Sequence, residues 1–444
     1  MSETINRGGY LAAVGVLLLG VSVRSVFAQS IDDETKSPAA STETNSSYAA
    51  SAEVLPHGDE DSQAQYASAL DGSGLISLDH DTPSHYIVGA TFGGGWDSNP
   101  DNRGGSVASA LYSVSPYIGI QANTDRIRSL FQYQYTSTVF SADYAKQSRH
   151  VASIGILGNV NERWSWGLKA NGSYGQDAIR FLGTQQAIAV GDVPGVGSNS
   201  AAYVANAGTV ANIEGHAEVK YRLTAVDSIG LNVSNAFSHY LGSNDSNQIA
   251  TVNFNYGKDL SPTVGVNIYA QNSSYYGTLR CESYGGGVGM TWRVSNRTAF
   301  AVSGGPQLNT SSCGSQQGFA YSASFSTRLS FKSQIYVMSD RQATSSYLGP
   351  GLWQKSTSGG YQQQIRLHGI ASVDVGYVAS DTLVEVSSYH GTFFDAAYNH
   401  TLAHGLRISS GYRAYVGDYG GTHFSRNAVL FSLVWTPGAG HIFQ

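Results

Sequence analysis

From His85 onward the chain alternates apolar and polar residues with a period of two. Ala250, Val252, Phe254 and Tyr256 fall on one face of an extended segment, with Thr251, Asn253 and Asn255 on the other. Val264, Val266, Ile268 and Ala270 likewise oppose Gly265, Asn267, Tyr269 and Gln271. Ala217, Val219, Tyr221 and Leu223 oppose His216, Glu218, Lys220 and Arg222. Successive side chains of a strand point to opposite sides, so this spacing specifies strands with one apolar face.

A soluble β-sandwich has the same period, and two further features separate the cases. The repeat persists over roughly 350 residues, in segments of about ten residues, with no helical interruption, as in outer-membrane barrels. The connections also form two length classes, the pattern of short periplasmic turns and longer outer loops. The short class includes 123–126, 161–163, 225–227, 258–261, 295–297 and 403–405. The long class includes 97–106, 177–212, the two cysteine-bearing loops and 343–352. The expected fold is all-β, a transmembrane antiparallel up-and-down barrel. It has about eighteen strands, with sixteen as the alternative because 330–391 is the least regular stretch.

Composition agrees with such a wall. Charged residues make up 13%, about half the usual share. The 52 Gly and 28 Tyr suit a pleated surface better than a helix. Aromatics cluster at segment ends, as two interfacial girdles would require. Trp164, Trp166, Tyr221, Tyr256, Trp292 and Trp435 lie by short turns, and Trp96, Tyr174, Tyr240, Tyr275 and Tyr415 by long loops. The triplets Gly93–Gly95 and Gly285–Gly287 fall inside strands, where glycine relieves crowding or marks a bulge.

The first 84 residues differ. Arg7, the apolar run Tyr10–Val23 and Val26-Phe27-Ala28 form a secretory signal peptide over 1–28, cut after Ala28. Residues 29–84 hold eleven acids and one base, Lys36, and form an acidic, disordered periplasmic leader. Residues 85–444 form the barrel, which is slightly basic with 22 bases against 19 acids. Export through a signal peptide and a strand-built wall give a Gram-negative outer-membrane location.

The opening strand reads GATFGGGWDSNPDN, residues 89–102. A strand followed by an aromatic-Asp-X-Asn step resembles the start of the beta-barrel porin type two family. Some of its members are associated with exopolysaccharide or capsule export loci, and the resemblance implies a porin-like role. The segment Asn427–Trp435 resembles the terminal strand read by the barrel-assembly machinery, with Trp435 and Phe443 as alternative aromatic signals.

Parity assigns the chemistry to a lumen. The inward basic set is Lys169, Lys220, Arg222, Arg293, Arg328, Arg407 and Arg413, and the inward acids are Glu218, Asp374 and Asp395. Basic groups around a pore favour anions, whereas charges paired across strands would brace the wall. Replacing Arg407 and Arg413 with Gln is expected to lower anion preference if the lumen is open. Tyr117 and Tyr269, also inward, either stack on passing sugar rings or simply pack. Cys281 and Cys313 fall in neighbouring outer loops with two strands between, and in an exported protein such a pair reads as a disulfide.

No catalytic residues are expected. There is no HExxH or GxSxG motif. His400 and Asp395 face opposite sides of one segment, while His390 and His423 lie in outer loops near Asp418. No metal site, cofactor or nucleic-acid partner is expected. The partners are outer-membrane lipid, the barrel-assembly machinery, and a solute or polysaccharide. The functional expectation is a porin-like channel for small polar solutes or a glycan, including exopolysaccharide export. The alternatives are a structural or adhesive barrel whose outer loops bind partners, and an outer-membrane hydrolase.

Overall fold

The computed structural model describes residues 85–100, 107–124, 126–142, 146–175, 209–241, 245–277, 280–310, 317–346, 349–365, 369–382, 389–402, 406–419, 422–436 and 440–441. The signal peptide and leader assigned to 1–84 lie outside them. In chain order the strands are β1 (His85–Asp97), β2 (Ser109–Asn123), β3 (Ile127–Phe140), β4 (Gln147–Asn159), β5 (Trp164–Gly175), β6 (Val210–Arg222), β7 (Asp227–Tyr240), β8 (Asp245–Ser261), β9 (Val264–Tyr276) and β10 (Cys281–Ser295). They continue as β11 (Thr298–Asn309), β12 (Gln317–Ser330), β13 (Ser333–Ser346), β14 (Gly349–Ile365), β15 (Gly369–Thr382), β16 (Tyr389–Thr401), β17 (Leu406–Tyr419), β18 (Thr422–Trp435) and the two-residue β19 (Gly440–His441).

Each long strand pairs antiparallel with its sequence neighbours, and β1 also pairs with β18 from Ala90↔Trp435 to Asp97↔Ala428. That pairing closes eighteen strands into a barrel and leaves no free edge. β19 extends the seam by pairing His441 with His85 and Gly440 with Tyr86. The sixteen-strand alternative falls, because β13, β14 and β15 form continuous ladders through 333–382.

The period of two has become inside and outside. Phe92, Val114, Ile118, Ile120, Phe131, Val252, Phe254, Phe431 and Leu433 are exposed on the outer face. Their sequence neighbours Thr91, Ser115, Gln121, Gln132, Asn253, Asn255 and Ser432 are buried on the inner one. Inner polar groups bond in cross-strand rungs. Ser115 Oγ donates to Thr136 Oγ1 (2.9 Å), Gln307 Nε2 to Ser283 Oγ (2.7 Å) and Ser409 Oγ to Asn399 Oδ1 (2.6 Å).

One chemistry recurs at the short turns: a small polar side chain caps the turn amides. Asn161 Oδ1 accepts from the amides of Arg163 and Trp164, both at 2.9 Å. Thr224 Oγ1 accepts from Val226 and Asp227, Ser261 Oγ from Thr263 and Val264, Ser295 Oγ from Arg297, and Ser330 Oγ from Lys332.

Several expected loops are corrected. Residues 258–261 belong to β8, and the turn is Pro262–Thr263; a register shift between Asp259 and Ser261 lets the strand run on. Most of 343–352 is strand, since Thr344↔Leu352 and Ala343↔Trp353 still pair. Of 97–106, Asp97 ends β1, while Asn99 and Pro100 are buried. The outer connections therefore vary in length more than the alternation predicted. The girdle assignment changes as well. Trp96, Trp164, Tyr174, Trp292 and Trp435 are exposed, and the Trp164 and Tyr221 ring centroids lie 4.6 Å apart. Tyr275 and Tyr415 are buried on the inner face, because strand parity rather than closeness to a loop decides direction.

Candidate functional site

The inner face carries three groups of charge. The first lies on β5 and β6. Lys169 pairs in register with His216, Ser165 with Lys220, and Gly167 with Glu218. His216 Nε2 stands 3.8 Å from Glu218 Oε2. Glu218 lies flat against β5 because Gly167 is bare there; a Cβ would come within 2.8 Å of its Oε1. Arg222 ends the column beside the turn, paired with Ser228. These side chains are partly exposed rather than buried.

The second group rings the short-turn mouth. Arg222, Arg293 (opposite Ala299), Arg328 (opposite Gln334) and Arg407 (opposite Thr401) all stand beside short turns, within two residues of the ends of their strands. Arg128, opposite Asn123, stands in the same place on β3 and was missed from sequence. Its signal is the Thr124 turn that follows one residue beyond Asn123.

The third group lies along β15–β18 and the closing seam. Asp374 and Asp395 are register partners, as are Asp395 and Arg413. Arg413 donates to Asp395 Oδ2 through Nε (3.0 Å) and Nη2 (2.7 Å). Asp374 accepts from the Tyr336 hydroxyl across Gly360, which has no side chain to intervene. Arg413 is thus committed to an ion pair, so a Gln there would unpair a buried acid as well as remove a charge. At the seam, Arg426 Nε bonds both Asp97 oxygens at 3.0 Å, with Nη2 on Oδ2.

The Trp-Asp-Ser-Asn-Pro step completes that lock. Asp97 Oδ1 accepts from the Asn99 amide (3.0 Å), and Asn99 Nδ2 donates to the Ser425 carbonyl (3.1 Å). The Ser98 amide donates to the Asn427 carbonyl (2.9 Å), and Ser98 Oγ accepts from the Asn427 amide (2.7 Å). The motif that stood out in the sequence fastens the first strand to the last. Arg426 was not among the candidates, since nothing in the sequence pairs it with a residue 329 positions away.

Tyr117 and Tyr269 lie against the wall. Tyr117 covers Gly89 and its hydroxyl meets Thr436 Oγ1 at 2.5 Å. The Tyr269 hydroxyl would be 2.6 Å from a Cβ at Gly287, and that Cβ would also strike the Gly304 carbonyl at 2.2 Å. Glycine is needed at both places for close approach.

Cys281 opens β10 on the inner face rather than lying in a loop. It is buried against Tyr275 and is disulfide-bonded. Cys313 lies outside the described residues, as does Phe443. His400 stacks on Tyr398 on the outer face, away from buried Asp395. His390 and His423 flank Asp418 on neighbouring strands, with His390 Nε2 and His423 Nδ1 each 3.1 Å from a carboxylate oxygen. Among the described residues, no group of three or more His, Cys, Asp or Glu could hold a metal ion.

No family model matches the chain, and no curated protein does. Several solved structures are similar to it. The outer membrane protein opdK from Pseudomonas aeruginosa gives a TM-score of 0.45 at 8% identity, over 79% of this chain and 98% of that one. Acinetobacter baumannii OccAB4 gives 0.42 at 8% identity, over 81% and 100%. The siderophore receptor PirA from Pseudomonas aeruginosa gives 0.41 at 9% identity, over 83% and 84%. At such scores neither the strand number nor the cargo of those proteins carries over.

Proposed function

We propose that the protein is an outer-membrane channel for small polar solutes, with a preference for anions. The observation that carries this is a closed eighteen-strand barrel, apolar outside and polar inside, with arginines gathered at one mouth. Barrels of about 16–18 strands have a lumen wide enough for water. The exposed outer hydrophobics require lipid, and with no water at that depth only a closed sheet satisfies its backbone.

The preference for anions follows from an excess of inward cations over inward acids on the described strands. Asp374, Asp395 and Asp97 are engaged with Tyr336, Arg413 and Arg426. On the β5–β6 column Lys169, Lys220 and Arg222 share the inner face with two carboxylate positions, Glu214 and Glu218. Positive groups along a pore wall raise the local anion concentration. A glycan cargo is the weaker reading, because the aromatics suited to sugar stacking, Tyr117 and Tyr269, lie buried against glycines.

The test is planar-bilayer conductance with a salt gradient. The wild type should conduct with an anion-biased reversal potential. Substituting Arg222→Gln with Lys220→Gln should move that potential toward the cation side. A folded barrel that does not conduct would sink the channel; conduction with an unmoved potential would sink the anion preference.

A further inference from the structure

The outer face of the wall is nearly free of cations. Among the described strand residues, it carries Lys258, Arg341 and Lys355. Lys258 sits beside a short turn and is paired with Asp227 at 3.8 Å. Arg341 and Lys355 differ in both respects. They are register partners on β13 and β14, on the same face as exposed Val337, Tyr361 and Tyr377. Eight residues above the start of β13, at a strand rise of about 3.3 Å and a tilt of about 40°, Arg341 stands roughly 20 Å above the short turns. That is near the top of an apolar band about 25 Å tall.

Two like charges directly opposite each other on adjacent strands destabilise the pair, and lipid-facing charge adds a cost that falls toward the interface. The Arg341 guanidinium is held in place, 4.6 Å above the buried Trp353 ring, with Nη1 3.5 Å from the Phe319 carbonyl. Lys355 is exposed, and neither residue is in an ion pair among the described residues. The nearest acidic position in register is Asp381, which pairs with Trp353, two residues nearer the mouth than Lys355.

We propose that Arg341 and Lys355 form a binding site for the phosphate of an outer-leaflet glycolipid. A phosphate between the two cations turns their repulsion into shared charge-assisted hydrogen bonds. The acyl chains would then lie along the apolar surface of Val337, Val375 and Tyr377, all exposed below the pair. The site rests on the membrane placement proposed above, but not on the barrel conducting.

The experiment uses the full barrel in neutral-lipid nanodiscs, titrated with diphosphorylated lipid A and read by native mass spectrometry. Each cation near a lipid surface contributes about fivefold in affinity. K355Q should therefore bind about fivefold more weakly, and R341Q with K355Q roughly twenty-five-fold. K355R should bind as the wild type does. Because Lys355 is exposed, K355Q remains informative if the Arg341 variant fails to fold. Dephosphorylated lipid A should bind equally weakly to all variants. Equal affinity of wild type and K355Q would overturn the proposal. So would displacement by inorganic phosphate at the same concentration as lipid, or a dimer mass lost in K355Q, which would make the pair a contact between copies. Conductance of K355Q in neutral lipid should equal wild type; lipid binding by a barrel that does not conduct would count against the channel alone.

Discussion

At the closing seam Asp97 is fully shut from water and Arg426 nearly so, whereas on β6 the Glu218 side chain keeps 32% of its surface exposed. Both sets of charges face inward on strands of similar length. The seam uses its charges as fasteners, with every oxygen of Asp97 bonded and the loop beyond it tied to β18. The β5–β6 column leaves its charges toward the lumen, over small partners such as Gly167 and Gly230. Parity alone therefore does not tell a fastener from a field. The difference lies in whether opposite charges meet in a direct, buried bond.

The sharpest way to break this contrast is at the seam. Arg426→Gln leaves Asp97 buried without its cation, and breaking such a pair costs about 3–5 kcal/mol. The folded barrel should lose that much in denaturant titrations, and the heat-resistant band on cold gels should melt earlier. A variant as stable as wild type would mean that the β1–β18 ladder and the bonds of Ser98 with Asn427 hold the seam without the ion pair. A smaller loss is expected at Gly287. Ala there meets the Gly304 carbonyl and the Tyr269 hydroxyl, an overpacking that costs about 1–3 kcal/mol. Tyr269→Ala should relieve only part of it, because the carbonyl remains.

The wall was readable because the outer and inner faces of the barrel carry opposite chemistries on alternate residues. β8 and β9 show this through Val252, Phe254, Val266 and Ile268 against Asn253, Asn255, Asn267 and Gln271. The ends were harder. Asp259 and Ser261 are separated by a register shift, so polar residues that look like a turn continue a strand. Tyr275 and Tyr415 look interfacial by position but point inward. Parity could assign Asp374, Asp395 and Arg413 to the inner face. It could not show that they stand side by side, because cross-strand register depends on the exact turn lengths between them. The WDSNP motif was conspicuous, yet its partner Arg426 is at the far end of the chain.

On the β5–β6 wall, where the charges are partly exposed, Lys220→Gln with Arg222→Gln should change stability by about 1 kcal/mol or less, the usual worth of an exposed ion pair. The same denaturant titration measures it beside Arg426→Gln. A loss as large as at the seam would mean that these cations are fasteners too, and the contrast would fail.

The smallest expected effect is at Asp227, where β7 leaves its short turn. The Tyr256 hydroxyl donates to Oδ1 and the Thr224 hydroxyl to Oδ2, both at 2.8 Å, and Lys258 lies beyond. These hydrogen bonds, Tyr256 first, hold the carboxyl below its ordinary range. A depressed folded-state value means that the stabilisation is complete above the unfolded carboxylate pKa of about 3.9. It fades as pH falls through the lower folded value, because protonation removes the acceptor charge. Asp227→Asn should therefore flatten the wild-type decline in stability below that pH, while leaving the slope at neutral pH unchanged. If the acid limb of the variant superimposes on that of wild type, the carboxylate plays no part in holding this turn, and Thr224 caps it alone through the amides of Val226 and Asp227.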